Sequence, residues 1–506
     1  MTKLFKNSKQ VLALVFAFAV LAVSLFTGSI AIEADACDVS KIDYWDGTKA
    51  SSFAGGTGTE ADPYIIKTAE QLAYCCTGIN ATNSTGKYYK VDDSVKVFVL
   101  QPESVVDLDK LLALDSAEAT KNYLSGLSGV KNWASLGASG FNGNFDGNGV
   151  TIYGLCTGPN YYNQDSYDNG LKAGHNRGGF FGKIDAKTAV IKNIAFKNSY
   201  FKGDPAGAVF GETLGNGGSA IIENIIVANC YVDSTGGYIS GVIGGYCLYD
   251  SATNTADKVK INNCLVYDNV VFNKDGYAAR LIGTMEGYCD NGSGGKVQDV
   301  NGFKILNTIA IGCNIENGTS YWQKNAQYFA NCYTTENPAA ENTTITKIAN
   351  ADAAKGVAAM TTLSGLDKSA WFFNTTGYPQ PRAFHDITMV DNGDGTHSET
   401  CSCGLTSGAI DHTFVGVECI CGAKMPCGEG IVEVWDGRDE NGTWINWQCS
   451  TFEGSGTESD PYIVRYAEQL AYLTTSGSST YASTVDKYYK VDDSVKAFDM
   501  NTTGLD

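Results

Sequence analysis

The chain has 506 residues and a formal net charge of −19 at pH 7, from 36 Lys and Arg against 55 Asp and Glu. So acidic a chain disfavours a nucleic-acid or anionic-membrane partner, and it weakens without excluding polyuronate substrates, because a negative surface repels polyanions. The length exceeds that of one ordinary domain.

Residues 1–36 have the pattern of a secretory signal. Three lysines precede an apolar run from Val11 to Phe26, and "ADA" then precedes Cys37. The run is short for a membrane span and small polar residues follow it, which favours cleavage after Ala36. We therefore expect a protein that is secreted or held on a bacterial cell surface. No later stretch is long and apolar enough to predict a membrane span.

One segment of the sequence occurs twice. "GTEADPYIIKTAEQLAYC" at 58–75 returns as "GTESDPYIVRYAEQLAYL" at 456–473, and the same ten residues, "KYYKVDDSVK", follow each copy. In the first copy, Thr68 to Gln71 predicts a capping box that starts a short helix with an apolar face. We expect 37–130 to form an N-terminal cap region. Residues 431–506 would then be the incomplete start of a second such domain, which suggests a fragment of a longer protein or a truncated gene record.

A finer repeat lies between the two copies. It comprises "IKNIAFKNSYF" from Ile191, "IENIIVANCYV" from Ile222, "INNCLVYDNVV" from Ile261 and "ILNTIAIGCNI" from Ile305, each after a small-residue strand such as "GGFFG". The β-branched and aromatic content with Gly and Asn at fixed places favours strands over helical repeats. A unit of this size is typical of one coil of a β-solenoid.

Four asparagines fall in one register of this repeat: Asn193, Asn224, Asn263 and Asn307. Stacked strands would place their side chains about 4.8 Å apart, so we predict a structural ladder. Cys230 and Cys313 share another register but lie two coils apart. That separation exceeds disulfide reach, so we expect them to be buried thiols.

The stretch "WASLGASGFNGNFDGNGVTIYGL" at 133–155 resembles the opening coil of bacterial surface proteins with GLUG-type repeats. The following "GGFFGKI" and "AVIKNIAFKNS" look like the repeat itself, and "AWFFNTTGYPQP" at 370–381 is similar to the strand that closes such domains. This resemblance covers most of 43–385. It implies a right-handed parallel β-helix of the pectin-lyase-like kind, and it implies no chemistry.

The expected fold class is therefore all-β. It consists of a right-handed parallel β-helix, or solenoid, at 131–385 with a short capping helix, a small Cys-rich module at 386–430, and the truncated second copy of the cap.

The Cys-rich module contains five candidate metal ligands: Cys401, Cys403, His412, Cys419 and Cys421. Paired cysteines followed by glycine resemble zinc knuckles, although Cys-x-Cys is tighter than the usual spacing. Disulfides compete in an oxidising compartment, so both interpretations stay open. "DNGDG" at 391–395 lacks the acidic ligand of a calcium loop, since Ser402 stands there, and predicts a tight turn.

The insertion at 161–179 is the most site-like part of the repeat region. Its candidate ligand-binding residues are Tyr161, Tyr162, Asp165, Tyr167, Asp168, His175 and Arg177. Aromatic rings and carboxylates can stack on and hydrogen-bond a sugar, and loops on a rigid scaffold are frequent binding sites. The alternative is a polar loop that covers the side of the stack.

These observations predict a non-enzymatic surface protein that contacts a glycan or a host or cell-surface ligand, or serves as a spacer, with no cofactor except zinc in the Cys-rich module. The alternative is a polysaccharide lyase or glycoside hydrolase on the same scaffold. Its base could be Arg280, although the repeat position suggests a strand residue that faces outward. A polygalacturonase would need, besides a histidine such as His175, aspartates on adjacent coils and an R-I-K segment, and the sequence shows neither arrangement.

Overall fold

A computed structural model describes most of the chain between residues 42 and 499. The described ranges are 42–78, 81–133, 140–157, 177–185, 188–216, 219–234, 239–251, 259–274, 276–290, 296–298, 302–316, 319–320, 328–338, 344–412, 414–415, 418–419, 421, 432–434, 452–465, 469–470, 473, 486–493, 495 and 497–499. The predicted signal sequence lies outside them.

The described residues are mostly strands. In chain order these are β1 (Ile42–Tyr44), β2 (Tyr64–Ile66), β3 (Tyr88–Val91), β4 (Val97–Val99), β5 (Asn144–Tyr153), β6 (Lys183–Asp185), β7 (Thr188–Lys197), β8 (Tyr200–Lys202), β9 (Phe210–Asn216), β10 (Ser219–Ala228), β11 (Tyr231–Ser234), β12 (Ile239–Gly241), β13 (Gly244–Ser251), β14 (Val259–Asn262), β15 (Leu265–Tyr267), β16 (Val270–Asn273), β17 (Tyr277–Ala279), β18 (Ile282–Asp290), β19 (Lys296–Gln298), β20 (Phe303–Leu306), β21 (Ile309–Ile311), β22 (Asn314–Glu316), β23 (Thr319–Ser320), β24 (Phe329–Ala330), β25 (Cys332–Thr334), β26 (Ile345–Lys347), β27 (Trp371–Phe372), β28 (Gln380–Pro381), β29 (Ile387–Asp391), β30 (Thr396–Cys401), β31 (Ile410–Asp411), β32 (Phe414–Val415), β33 (Glu418–Cys419), β34 (Val432–Val434), β35 (Tyr462–Val464), β36 (Tyr489–Val491) and β37 (Ala497–Asp499).

Helices are few and short. They are α1 (Ala69–Ala73), α2 (Ala81–Ser84), α3 (Leu108–Leu112), α4 (Ala117–Gly126) and α5 (Gly356–Thr362), with a π-helical turn at Tyr74–Gly78 and 3-10 turns at Asp352–Ala354 and Arg382–Phe384. The predicted start of α1 is confirmed, because the Gln71 amide donates to Thr68 Oγ1 at 3.3 Å. Its face of Ala69, Leu72 and Ala73 is buried.

The largest sheet contains fourteen strands, nine of them side by side in the order β1-β4-β5-β7-β10-β15-β21-β25-β26. Its pairs are parallel and keep repeat positions in register. Ile222 of β10, for example, pairs with Ile191 of β7 and with Ile261 of β14. The β-branched side chains of one register thus stack on each other and form the main core.

Three smaller sheets contain the remaining strands of the repeats. They are ordered β22-β16-β11-β8, β12-β17-β23 and β19-β18-β13-β9-β6. Gly207 explains why small residues precede each repeat, since a Cβ there would lie 2.4 Å from the Gly244 Cα. Backbones approach too closely at this place for a larger residue.

The expected single right-handed β-helix is wrong as a description of the fold. The described strands are divided among nine separate sheets, and they include antiparallel pairs such as β18 with β19, β27 with β28 and β30 with β31. In the 37–130 region, which we expect to be an N-terminal cap, β1 to β4 belong to the largest sheet. The physical reason is that insertions and Gly or Asn corners end each strand early, so that one repeat contributes strands to several sheets.

The chain forms two compact units. The first contains residues up to Asp386 together with Cys401–Leu405, and the second contains Ile387–Thr400 together with Thr406–Asp506. The expected Cys-rich module at 386–430 is therefore divided. Cys401 and Cys403 belong to the first unit, whereas His412, Cys419 and Cys421 belong to the second.

Candidate metal centres and the groove

His385 follows the last 3-10 turn of the first unit. Its amide donates to the Arg382 carbonyl at 3.0 Å, and the Arg382 amide in turn donates to the Ala370 carbonyl at 2.9 Å. The Phe372 ring lies against the imidazole with centroids 4.7 Å apart. Backbone bonds and packing therefore hold the His385 ring in one place.

A tight turn presents the two sulfurs of Cys401 and Cys403. The Cys401 amide donates to the Leu405 carbonyl at 2.8 Å, and the Gly404 amide donates to the Cys401 carbonyl at 2.9 Å. Gly404 has a φ of 91°, a conformation that glycine adopts most easily. The glycine after the second cysteine is thus what folds Cys-x-Cys back so that both thiols lie on one side.

His385, Cys401 and Cys403 form a three-residue group with the dimensions of a metal site. The His385 Nδ1 lies 3.4 Å from Cys401 Sγ and 3.8 Å from Cys403 Sγ. A tetrahedral zinc, with bonds of about 2.0 Å to nitrogen and about 2.3 Å to sulfur, holds such ligands about 3.5 Å apart. The donor atoms of all three residues lie within 4.8 Å of one another.

The protonation state of His385 suits a metal ligand, because histidine binds a metal through its neutral imidazole. Burial, reinforced by the positive charges of Lys197 and Arg382, lowers the pKa of His385 to about 4, so the imidazole is neutral near pH 7. Burial is the main cause that raises the pKa of Cys403 to about 11, and the neighbouring Cys401 thiol is the second. A divalent cation would supply the charge that stabilises the thiolate.

The group borders a groove of about 700 Å³ in the first unit. The lining of this groove includes Asp93, Lys96, Asn148, Lys197, Phe384 and His385. Ala195 and Ile226, buried residues of neighbouring strands of the largest sheet, also belong to the lining. Cys401 and Cys403 belong to the same lining, so the metal-site group and the groove are one place in the fold.

A second group of candidate ligands occurs in the second unit: His397, His412 and Cys421. The two imidazole rings are stacked with centroids 5.6 Å apart. Glu399 Oε1 lies 3.9 Å from His397 Nε2, and Asp391 Oδ1 lies 3.6 Å from His412 Nε2. Carboxylates beside histidine are frequent supports of metal-binding imidazoles.

The five ligands predicted in the Cys-rich segment are thus brought together only in part. Cys401 and Cys403 join His385, and His412 and Cys421 join His397. Cys419 lies in β33, opposite Phe414. Cys401 and Cys403 are free thiols, and so are the described cysteines of the repeats.

His385 and His397 are the ligands that the sequence reasoning missed. A signal was available, since the chain has only four histidines and three of them lie between 385 and 412. The predicted tight turn at 391–395 is confirmed. The Gly393 amide donates to Asp391 Oδ1 at 2.8 Å, and Gly393 and Gly395 have φ values of 74° and 87°.

The predicted sugar-binding loop falls mostly outside the described residues, which exclude Tyr161, Tyr162, Asp165, Tyr167, Asp168 and His175. Arg177 is described. Its guanidinium forms an ion pair with Glu212, and their side chains are 13% and 0% exposed. This arginine is therefore committed to a buried partner.

The four asparagines predicted as a ladder share one register, and all have left-handed φ values between 48° and 60°. Asn224 Nδ2 donates to Asn193 Oδ1 at 2.8 Å, and Asn193 Nδ2 donates to Asp146 Oδ1 at 2.8 Å. Asn307 Nδ2 donates instead to Asn262 Oδ1, at 3.0 Å. Direct bonding thus links only the first two of the four, since Asn262, next to Asn263, bonds to Asn307 and to Glu223.

Arg280 does not match the outward strand position expected for it. It lies between β17 and β18, and its side chain is 13% exposed. Its Nε donates to the Cys313 carbonyl at 3.1 Å, and its Nη2 lies 3.5 Å from Glu336 Oε2. The corner between two strands turns the side chain inward, where it donates to a backbone carbonyl and pairs with a carboxylate.

No family model matches this chain, and no curated protein matches its sequence. A solved structure of a provisionally named immunoglobulin A1 protease from Bacteroides ovatus is similar at a TM-score of 0.33 with 14% identity, over 65% of this chain and 95% of that one. At that score the likeness carries no argument about fold or activity. The resemblance to GLUG-repeat proteins stays a prediction.

Among the residues that the structure describes, no helix has the length and apolar character needed to cross a bilayer.

Proposed function

We propose that this protein is exported to the bacterial cell surface and binds a glycan, or another cell-surface ligand that carries sugar, without cleaving it. The groove is the proposed place of contact. The single observation that carries the proposal is the composition of the groove, where a stable sheet supplies one wall and polar groups converge from separate segments.

The size and lining of the groove suit a small saccharide. Its volume of about 700 Å³ falls within the usual range of ligand pockets. Asp93, Asn148 and Lys96 supply hydrogen-bonding groups, while the half-buried Phe384 supplies apolar surface against which a sugar ring can pack. Such a mixture of apolar contact and oriented polar groups is what recognition of a sugar requires.

Asp93, one of the two carboxylates that line the groove, is a poor general acid. Hydrogen bonds from the Asn148 side chain and from Lys90 lower the pKa of Asp93, so it holds no proton near pH 7. Glycoside hydrolysis needs a carboxylic acid with a raised pKa. The inward-facing Arg280 also lacks the role that a lyase would give it. These observations favour binding over cleavage.

The test uses the full chain on an array of microbial and host glycans, followed by calorimetric titration with any glycan that is bound. We expect binding that Phe384→Ala or Lys96→Ala weakens by about tenfold, or about 1.4 kcal/mol. Lys347→Ala is the matched control, since Lys347 is exposed and lies outside the groove lining. Release of reducing or unsaturated ends from the bound glycan would overturn the proposal, and so would binding that both groove variants leave unchanged.

We further infer that the two His and Cys groups hold zinc in place of the disulfides that the sequence left open. Sulfur and imidazole donors suit Zn²⁺, and the thiols of Cys401 and Cys403 take part in no disulfide. Metal analysis of the purified full chain should find zinc, and thiol titration after denaturation with a chelator should find Cys401, Cys403 and Cys421 reduced. A disulfide between any two of them would contradict this inference.

A further inference from the structure

The two candidate metal centres differ in what surrounds them. His385, Cys401 and Cys403 themselves line the groove. The group His397, His412 and Cys421 has Glu399 and Asp391 beside its imidazoles. A zinc site with three protein ligands keeps a fourth position for water or a bound molecule, whereas structural sites fill all four.

We propose that zinc held by His385, Cys401 and Cys403 keeps its fourth coordination position open to the groove, and that a carboxylate of the bound sugar occupies it. This inference rests on the proposed function, because it names the chemistry by which the same groove would select its ligand.

The geometry of the three donors supports an open centre. Their separations of 3.4 and 3.8 Å already match a tetrahedral site before any metal is added. Among the described residues, no further His, Cys, Asp or Glu completes the group within 4.8 Å. Asp386 also lines the groove but is not one of these donors. We therefore assign the fourth ligand to a molecule bound in the groove.

The charges near the open position favour an anionic oxygen ligand. Lys96 and Lys197 both line the groove, and the zinc adds positive charge at its edge. Asp93 and Asp386 are the opposing negative groups of the lining. Asn148 donates a hydrogen bond to Asp93, and Lys90 lies 3.2 Å from it. A single carboxylate can thus bind locally, even though the acidic chain as a whole repels long polyanions.

The first experiment counts metal ions. Full-length protein is freed of metal under reducing conditions and titrated with Zn²⁺ against a chromophoric chelator. We expect two tight sites per chain, one after His385→Gln and one after Cys421→Ser, with two retained in the Lys347→Ala control. Far-ultraviolet circular dichroism of each metal-free variant verifies folding. Cys403→Ser repeats the test with a less buried ligand. Two sites in the folded His385→Gln protein would overturn the assignment.

The second experiment examines the fourth position with Co²⁺ as the spectroscopic probe. In Cys421→Ser protein, which retains only the groove centre, glucuronate should change the visible cobalt bands, and glucose at equal concentration should not. In His385→Gln protein, which retains only the other centre, glucuronate should leave the bands unchanged. A cobalt spectrum insensitive to glucuronate in the first variant, or altered by Asp386→Asn alone, would show that the position is closed.

The outcomes separate this inference from the proposed function. Glycan binding at the groove that is equally strong with and without metal would overturn the open centre and leave the proposed function standing. A glucuronate-sensitive cobalt spectrum without any glycan binding that Phe384→Ala weakens would overturn the proposed function and leave the open centre.

Discussion

Val91 and Val491 occupy equivalent places in the two copies of the repeated segment, yet Val91 is fully buried and Val491 is 44% exposed. Val91 pairs with Ile66, and Val491 pairs with Val464 in the same register. The difference arises because β3 also pairs with β5, whereas within the described residues β36 pairs only with β35. The same local sequence therefore forms the same strand pair in both copies. Within the described residues, only the first pair is extended by a further strand, β5.

This difference predicts unequal costs for the same substitution. Val91→Ala should destabilise the first unit by about 2 kcal/mol, because it leaves a cavity in a packed core. Val491→Ala should change the stability of the second unit by less than about 0.5 kcal/mol. Site-resolved hydrogen exchange under mild denaturant measures both. Similar losses at the two positions would show that the second copy is equally well covered.

The second copy should also be the first part to be cut by trypsin. We expect cleavage after Arg465 well before any cut within 140–335, because β36 has an uncovered face that packing does not protect. Arg465 is held by Glu453 and by Asp492, the latter at 2.7 Å, so Arg465→Lys is a useful comparison. Equal protection of the two regions would contradict this expectation.

Asn224→Leu should destabilise the first unit by about 1–3 kcal/mol. The change removes the 2.8 Å hydrogen bond to Asn193 and forces a larger side chain into a φ of 52°. Asn224→Gly separates the two effects, since glycine accepts the backbone angle but cannot bond. Its cost should be the smaller one. Denaturant unfolding gives both values, and no loss in either variant would exclude a structural role for this side chain.

Removing one partner of the buried Arg177–Glu212 ion pair should destabilise the protein more than removing both charges. Arg177→Met leaves Glu212 charged and fully buried, for an expected loss of about 3–5 kcal/mol. The double change Arg177→Met with Glu212→Gln removes both charges and should recover much of that loss. A thermal or denaturant comparison of the unchanged protein, the two single variants Arg177→Met and Glu212→Gln, and the double variant tests this. Additive losses would indicate that the two side chains do not depend on each other.

Because several thiols are buried, we predict that alkali destabilises the folded protein. Burial raises the pKa of Cys156, Cys230, Cys247, Cys264, Cys313 and Cys332 to about 12, from 9.0. Since the folded pKa is the higher one, their contribution to stability is complete below pH 9 and is lost as pH rises towards 12. These thiols should react with a disulfide reagent at pH 8 only after unfolding. Rapid reaction of the native protein would place them at the surface.

The repeat register could be predicted from the sequence because strand pairing obeys local patterns. β-branched residues, glycines and asparagines at fixed intervals determine which residues are strands and which are corners, and Asn193 and Asn224 do pair as their spacing predicts. Cys230 and Cys313 are buried thiols, as expected from their separation by two repeats.

The division of these strands among several sheets, the antiparallel pairs and the inward turn of Arg280 could not be predicted in this way. They depend on where insertions and corners interrupt each repeat, and spacing alone does not determine the direction that the chain takes next. The expectation of one uniform solenoid failed for this reason.

The sequence by itself determined that sulfur and imidazole donors occur together near residues 385–421, because residue type and proximity along the chain are visible in it. Tertiary structure alone decided how they are grouped. The turn at Gly404 folds Cys401 and Cys403 back towards His385, sixteen residues before the first of them, while His412 and Cys421 meet His397 instead. Metal ligands must converge within a few ångströms, and that convergence depends on the path of the backbone rather than on the order of the residues.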